Sequence, residues 1–337
     1  MRYLVAVILA LLALPLAAQD WEDRQVFGAG DAAVTLRIVS STDTDLFAPL
    51  IEGFVSANPD IAIEYLVTNT SDIDKRFRAT PEAFDVAISS AMDLQLKLTN
   101  DGYAATLEGV THPAWAQWRQ SLFAFTSEPA AIVVNRAAFE GLAIPRTRQE
   151  LIEILRAHPD RFRGRVGTYD VRQSGLGYLF ATQDARASET FWRLMEIMGG
   201  LDVALYCCSG DMIDDLIAGR IAVAYNVLGS YAEARVAGDG PLDIILPSDF
   251  RTTMMRTALV SGDSPRPEAA ERFVRALIAY TPEGAAAGGG RSLPPLAVED
   301  PGADRATIPL GPALMTFLDA LKRDKFLEEW ENAVVQD

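Results

Sequence analysis

The stretch from Leu36 to Val55 constrains the fold more than any other part of the chain. Leu36, Ile38 and Val39 make a short buried strand, and Ser40-Ser41-Thr42-Asp43-Thr44-Asp45 follow as six small polar residues in a row. Leu46, Phe47, Leu50, Ile51, Phe54 and Val55 then recur at helical spacing. A strand, a hydroxyl-rich loop and a helix in that order aim the helix's free N–H groups and its positive dipole end at whatever occupies the loop. Such a unit marks the binding edge of an open α/β sheet. One Thr or Asp is enough to cap a helix, so six polar residues point to a binding loop as well.

The unit recurs. Ile61–Val67 reads as a strand ending in Thr68 and Asn69, with a helix around residues 73–78. Residues 84–88 form another strand, ending in Ser89 and Ser90, with a helix from Met92. In the second half, residues 164–168 lead into Tyr169-Asp170-Val171-Arg172-Gln173-Ser174-Gly175, and a helix runs from Leu176. Residues 203–206 lead to Cys207-Cys208-Ser209 and a further helix, and residues 221–225 end at Tyr225 and Asn226. The expected fold class is α/β, with two doubly wound lobes. No Pro-, Gly- or Ser-rich linker separates the halves, so the chain is expected to cross between lobes on ordinary strands, near residues 125–130 and 247–252. That division makes residues 34–127 plus 250–337 a discontinuous first lobe and 128–249 an inserted second lobe. Two amphipathic helices, near 313–321 and 326–334, are assigned to the first lobe. Residues 19–33 read as a loose segment, and Trp115 and Trp118 as packing residues.

At the N-terminus, Arg2, the apolar run Leu4–Leu14 and Pro15-Leu16-Ala17-Ala18 have the three parts of a cleavable signal peptide over residues 1–18. The run is too short to span a bilayer. Export to the periplasm is the expectation. The formal net charge of −16 argues against nucleic acid and anionic membrane surfaces as partners. The cysteines, Cys207 and Cys208, are neighbours. Three readings stand for them: two buried free thiols, a vicinal disulfide closed through a strained eight-membered ring, or a soft-metal or arsenical site.

Enzyme signatures are absent: there is no G-x-S-x-G, S-x-x-K, H-E-x-x-H or phosphate-binding P-loop. Both histidines, His112 and His158, precede prolines. No catalytic residue, cofactor or metal ligand is therefore assigned. The strand-end loops instead supply hydroxyls, amides and helix N-termini, the parts of an anion cradle. Its candidate residues are Ser40, Ser41, Thr42, Asp43, Thr68, Asn69, Ser89 and Ser90 from the first lobe. The second lobe supplies Tyr169, Asp170, Arg172, Ser174, Gly175, Ser209, Tyr225 and Asn226. Arg172 is the expected counter-charge, because its fork binds phosphate or carboxylate bidentately; its competing role is a surface pair with Asp170 or Asp184.

The chain resembles the periplasmic solute-binding proteins of bacterial ABC transporters, in particular the ferric-ion- and organophosphate-binding branch. The resemblance lies in Ile38–Asp43, Asp85–Ser90, Pro129–Asn135, Gly219–Asn226 and Pro267–Val274. It implies the periplasmic binding protein type 2 fold, in which two lobes close on a ligand over a strand hinge, and a monomer that delivers a small organic anion to an inner-membrane permease. It leaves open a periplasmic sensor kinase domain as partner. The iron-binding members place adjacent tyrosines where this chain has Tyr225-Asn226, with the next tyrosine at Tyr231; ferric ion is the alternative ligand.

Overall fold

The computed structural model describes residues 21–236, 240–281, 293–297 and 306–336. The signal-peptide expectation lies outside the described residues. The first sheet has the order β1 (Asp23–Phe27), β3 (Ile61–Val67), β2 (Val34–Ser40), β4 (Val86–Ser89), β13 (Thr257–Val260), β6 (Leu122–Ala124), β5 (Gln117–Trp118). Its centre is parallel: β2 (Val34–Ser40), β3 (Ile61–Val67) and β4 (Val86–Ser89). On it pack α1 (Thr44–Ala57), α2 (Thr70–Ala79) and α3 (Met92–Asn100). The chain becomes strand here because Leu36, Ile38 and Val39 bury completely between helices on both faces. α1 answers them with Leu46, Phe47, Ile51 and Phe54. The short strands β5 (Gln117–Trp118) and β6 (Leu122–Ala124) close one edge.

The segment expected to be loose instead forms β1 (Asp23–Phe27), antiparallel to β3 from Asp23 opposite Val67 to Phe27 opposite Ile63. Four of its five residues are exposed, so the alternation that betrays a half-buried strand is missing.

After β6 the chain enters the second sheet through β7 (Glu128–Asn135). There follow α4 (Arg148–Ala157), α5 (Pro159–Phe162), β8 (Val166–Tyr169), α6 (Gly175–Ala187) and α7 (Thr190–Gly199). Then come β9 (Ala204–Tyr206), α8 (Ser209–Ile217), β10 (Val223–Leu228), α9 (Gly229–Arg235) and β11 (Leu242–Ile245). The order is β11-β7-β10-β8-β9, and β12 (Thr253–Met254) pairs with the start of β7. β13 (Thr257–Val260) then rejoins the first sheet against β4, and α10 (Pro267–Ile278) packs beside it. The outgoing and returning strands hold each other where they cross: the Phe125 N–H donates to Arg256 O at 3.0 Å and the Arg256 N–H to Thr126 Oγ1 at 2.9 Å.

The C-terminus departs from expectation. Residues Pro312–Leu318 form a 3-10 turn against α3. The last helix, α11 (Ala320–Val334), packs on α7 of the second lobe, with Phe326, Trp330, Ala333 and Val334 in one core with Phe191, Leu194, Met195 and Met198. The chain thus reaches the second lobe a second time. An amphipathic stripe reveals that a helix will bury one face, but not which lobe offers the matching surface.

Candidate functional site

The strand-end loops of both sheets meet at one cavity of about 40 Å³, room for a few waters. The first lobe contributes Glu22, Ser41, Asp43, Thr68, Asn69, Thr70 and Ser90. The second contributes Tyr169, Ser174, Leu176, Cys207, Cys208, Ser209, Leu228 and Tyr231. Five helices of nine or more residues begin at this wall: α1, α2, α3, α6 and α8. The N-caps of α1, α3 and α8 make no side-chain capping bond, so their first N–H groups are not satisfied in that way. Asn69 and Ser174 cap α2 and α6 through Asp72 N–H and Gly177 N–H.

The lobes are clasped over the cavity. Tyr231 Oη donates to Asp43 Oδ1 at 3.2 Å and accepts from the Asp43 N–H at 3.3 Å. Arg235 reaches Asp43 Oδ2 at 2.9 Å while its Nε holds Asp214 Oδ1 at 3.0 Å. The Leu176 N–H donates to Thr70 Oγ1 at 3.2 Å. Inside, Tyr169 Oη and Ser209 Oγ are 2.6 Å apart, and the Ser90 N–H donates to Ser41 Oγ at 3.2 Å. Burial pushes the phenols of Tyr169 and Tyr231 well above their ordinary pKa, so both stay protonated and able to donate.

Beneath the cavity lies a buried ion pair that the sequence reading missed. Arg256 and Glu128 are fully buried and joined by two bonds of 3.0 Å. Thr126 and Ser230 also donate to the carboxylate, and Arg256 Nη1 donates to Thr42 Oγ1. The available signal was an arginine inside the apolar run Met254-Met255-Arg256-Thr257-Ala258, because a charge in a buried strand requires a partner.

Of the sequence candidates, Ser41, Asp43, Thr68, Asn69, Ser90, Tyr169, Ser174 and Ser209 line the cavity. The others do not. Ser40 and Ser89 turn back to accept from the Thr42 and Ala91 N–H groups, and Thr42 belongs to the Arg256 network. Gly175 serves close approach of the lobes: a Cβ there would lie 2.8 Å from Leu94 Cδ1 and 3.0 Å from Thr70 Oγ1. Arg172 is a correction. Its guanidinium holds both oxygens of Asp170 at 2.8 Å, reaches Glu331 at 3.4 Å and lies over Trp330, away from the cavity. Asp170 is spent on the same pair: burial opposes its ionisation, yet the Arg172 hydrogen bonds hold its pKa below the ordinary value.

Tyr225 and Asn226 are a second correction. β10 continues past them through a bulge, with Asn226 at φ 62°. Both donate to the fully buried Asp184, at 2.7 and 2.8 Å, which also pairs with Arg148 and accepts from Thr252. Arg235 is a residue the sequence reading passed over. It stands in the last turn of α9, with Nη1 buried and without a partner. The cysteines form a vicinal disulfide, Cα–Cα 3.8 Å, on the cavity wall.

No family model and no curated protein matches the chain. Among solved structures, a substrate-binding protein of an ABC transporter from Agrobacterium tumefaciens is 34% identical, with TM-score 0.83, over 93% of this chain and 98% of that one. The periplasmic binding protein AfuA from Actinobacillus pleuropneumoniae, bound to fructose-6-phosphate, shares the fold at 14% identity and TM-score 0.71, over 91% and 100% of the two chains. Iron-bound HitA from Pseudomonas aeruginosa does so at 15% and 0.63, over 89% and 99%. A two-lobed α/β chain with its strand-end loops converging on an inter-lobe cavity, at this identity over nearly its whole length, belongs to the substrate-binding proteins of ABC transporters.

Proposed function

We propose that the protein captures a small organic anion, phosphorylated or carboxylated, between its lobes in the periplasm and hands it unchanged to an inner-membrane permease. The observation that carries this reading is the convergence of five helix N-termini on one hydroxyl-lined cavity. Each terminus presents roughly +0.5 of an elementary charge, and backbone N–H groups match the lone pairs of an acid oxygen. Ser41, Ser90, Ser174, Ser209 and Thr68 add neutral donors at no cost in charge. Arg235, which lines the adjoining mouth with Nη1 unpaired while its other nitrogens hold Asp43 and Asp214, is the nearest counter-charge in place of Arg172. The sugar phosphate in AfuA agrees with this reading. Binding proceeds by lobe closure, with the clasp between Asp43, Tyr231 and Arg235 made only in the closed form.

The test is a thermal-shift screen of the mature chain against phosphate esters, carboxylates, inorganic phosphate, ferric citrate and neutral sugars. A ligand at about 100 times its Kd stabilises by about 2.7 kcal/mol, a shift of several degrees. A phosphate ester or carboxylate that raises Tm, with the shift reduced in Arg235→Gln, supports the reading. Shifts with neutral sugars alone, or with ferric citrate alone, sink it.

A further inference from the structure

A cradle for a plain anion should have a neutral or basic entrance, and this one is acidic. Next to the cavity lies its mouth, about 520 Å³, where Glu22, Asp23, Asp43, Asp45 and Asp211 face a single guanidinium, Arg235. That guanidinium is already held by Asp43 and Asp214. Glu22 and Asp43 border both the mouth and the cavity itself. A bare anion entering here meets uncompensated negative charge in a walled space, where fields are focused.

The backbone of Glu22 is also firmly placed. Its N–H donates to Val67 O at 2.9 Å, and β1 immediately after it is zipped to β3. Trp21 before it packs edge-on to Phe84 and lies under the Arg76 guanidinium at 4.5 Å. The N-terminal segment, expected to be loose, thus places one carboxylate at the rim. Partial burial by the cleft walls, followed by the charges of Asp43 and Asp211, pushes the Glu22 carboxyl above the usual glutamate range; a positive group beside it would relieve this.

We propose, building on the anion reading above, that the ligand is a zwitterion: its acid group sits on the helix N-termini and its ammonium group is received by Glu22, with Asp43 behind it. A purely cationic ligand would set its charge against five helix N-termini. Among the described residues, the cluster of His, Cys, Asp or Glu with metal-ligand spacing is Cys207, Cys208 and Asp211, whose sulfurs are tied in the disulfide, and the Tyr225 hydroxyl is committed to Asp184.

Calorimetric titration of the mature protein with matched pairs tests this: propionate against β-alanine, and ethyl phosphate against phosphoethanolamine. The zwitterion of at least one pair should bind about tenfold or more tightly than its plain partner. In Glu22→Gln that preference should fall to about threefold or less, because the zwitterion loses its ammonium partner while the plain anion, relieved of a negative neighbour, binds at least as tightly as before; an unchanged Tm shows that the variant is folded. Equal binding within each pair, or a preference that survives Glu22→Gln, overturns the zwitterion proposal and leaves the anion reading standing. Binding of ethylamine with no binding of any acid overturns the anion reading, and with it this one. A panel in which nothing binds overturns both.

Discussion

In the first lobe, the three loops after β2, β3 and β4 all deliver side chains to the cavity: Ser41 and Asp43, Thr68 and Asn69, and Ser90. In the second lobe, loops of the same composition divide. Ser174 and Ser209 reach the cavity, whereas Asp170 and Arg172 satisfy each other and Tyr225 and Asn226 bury around Asp184. The first-lobe residues are mostly neutral donors with room in front of them. The diverted ones belong to networks anchored on carboxylates, and a buried carboxylate draws every nearby donor to itself because leaving it unpaired is so costly. A polar loop therefore serves a ligand when no buried charge competes for it.

Five substitutions sharpen or break that contrast. The largest effect should come from the hinge pair beneath the cavity. Glu128→Gln leaves Arg256 buried without its countercharge and should lower unfolding stability by about 3–5 kcal/mol, read by denaturant titration. A loss under about 1 kcal/mol would show that the pair is not sealed from water. Asp184→Asn likewise removes the countercharge of buried Arg148 and should cost about 3 kcal/mol while leaving the affinity for the best anion of the screen unchanged; a tenfold loss of affinity would return Tyr225 and Asn226 to the site.

Asp93, near the start of α3, tests burial of a carboxyl that has no ion pair. Its Oδ1 is unpaired, and burial pushes its pKa up to about 7 from an ordinary 3.8. The folded value lies above the unfolded one. The stability contributed by the protonated form is therefore complete below the unfolded value and is lost as pH rises through the folded one. Asp93→Asn stays neutral throughout, so it should raise stability at about pH 8 by ~2 kcal/mol and change little near pH 4. A gain of equal size at both values would refute the assignment.

Arg235→Gln should weaken the screened anion by about tenfold, by calorimetry. Arg172→Ala should be the mildest. Its side chain is 37% exposed, so stability should fall by less than ~1 kcal/mol and affinity should stay within about twofold. If Arg172→Ala weakened binding more than Arg235→Gln did, the two arginines would have to exchange roles.

How far the sequence could be read differs along the chain. The parallel strands of the first lobe were legible because their apolar runs are continuous and end in polar clusters, as with Ile61–Val67 and Thr68-Asn69. β1 was not, because an edge strand exposed on both faces has no hydrophobic period. The loops that form the cleft could be named, since a strand end followed by a helix start is a local pattern. The division of labour within them could not, since Arg172 finds Asp170 only two residues away while Arg235 finds Asp43 across 192 positions.

By itself the sequence determined the local units: strand, polar loop, helix, their repetition, and the two-lobed α/β class that repetition requires. Periodicity and turn chemistry act over a few residues and need no partner to be seen. Tertiary structure alone decided which lobe receives the last helix, which arginine faces the cleft, that a rim carboxylate from the N-terminal segment joins it, and that neighbouring cysteines are joined on its wall. Each of these is a pairing between surfaces or charges far apart in the chain, and the winning partner is set by the three-dimensional competition for burial and countercharge, which no local pattern records.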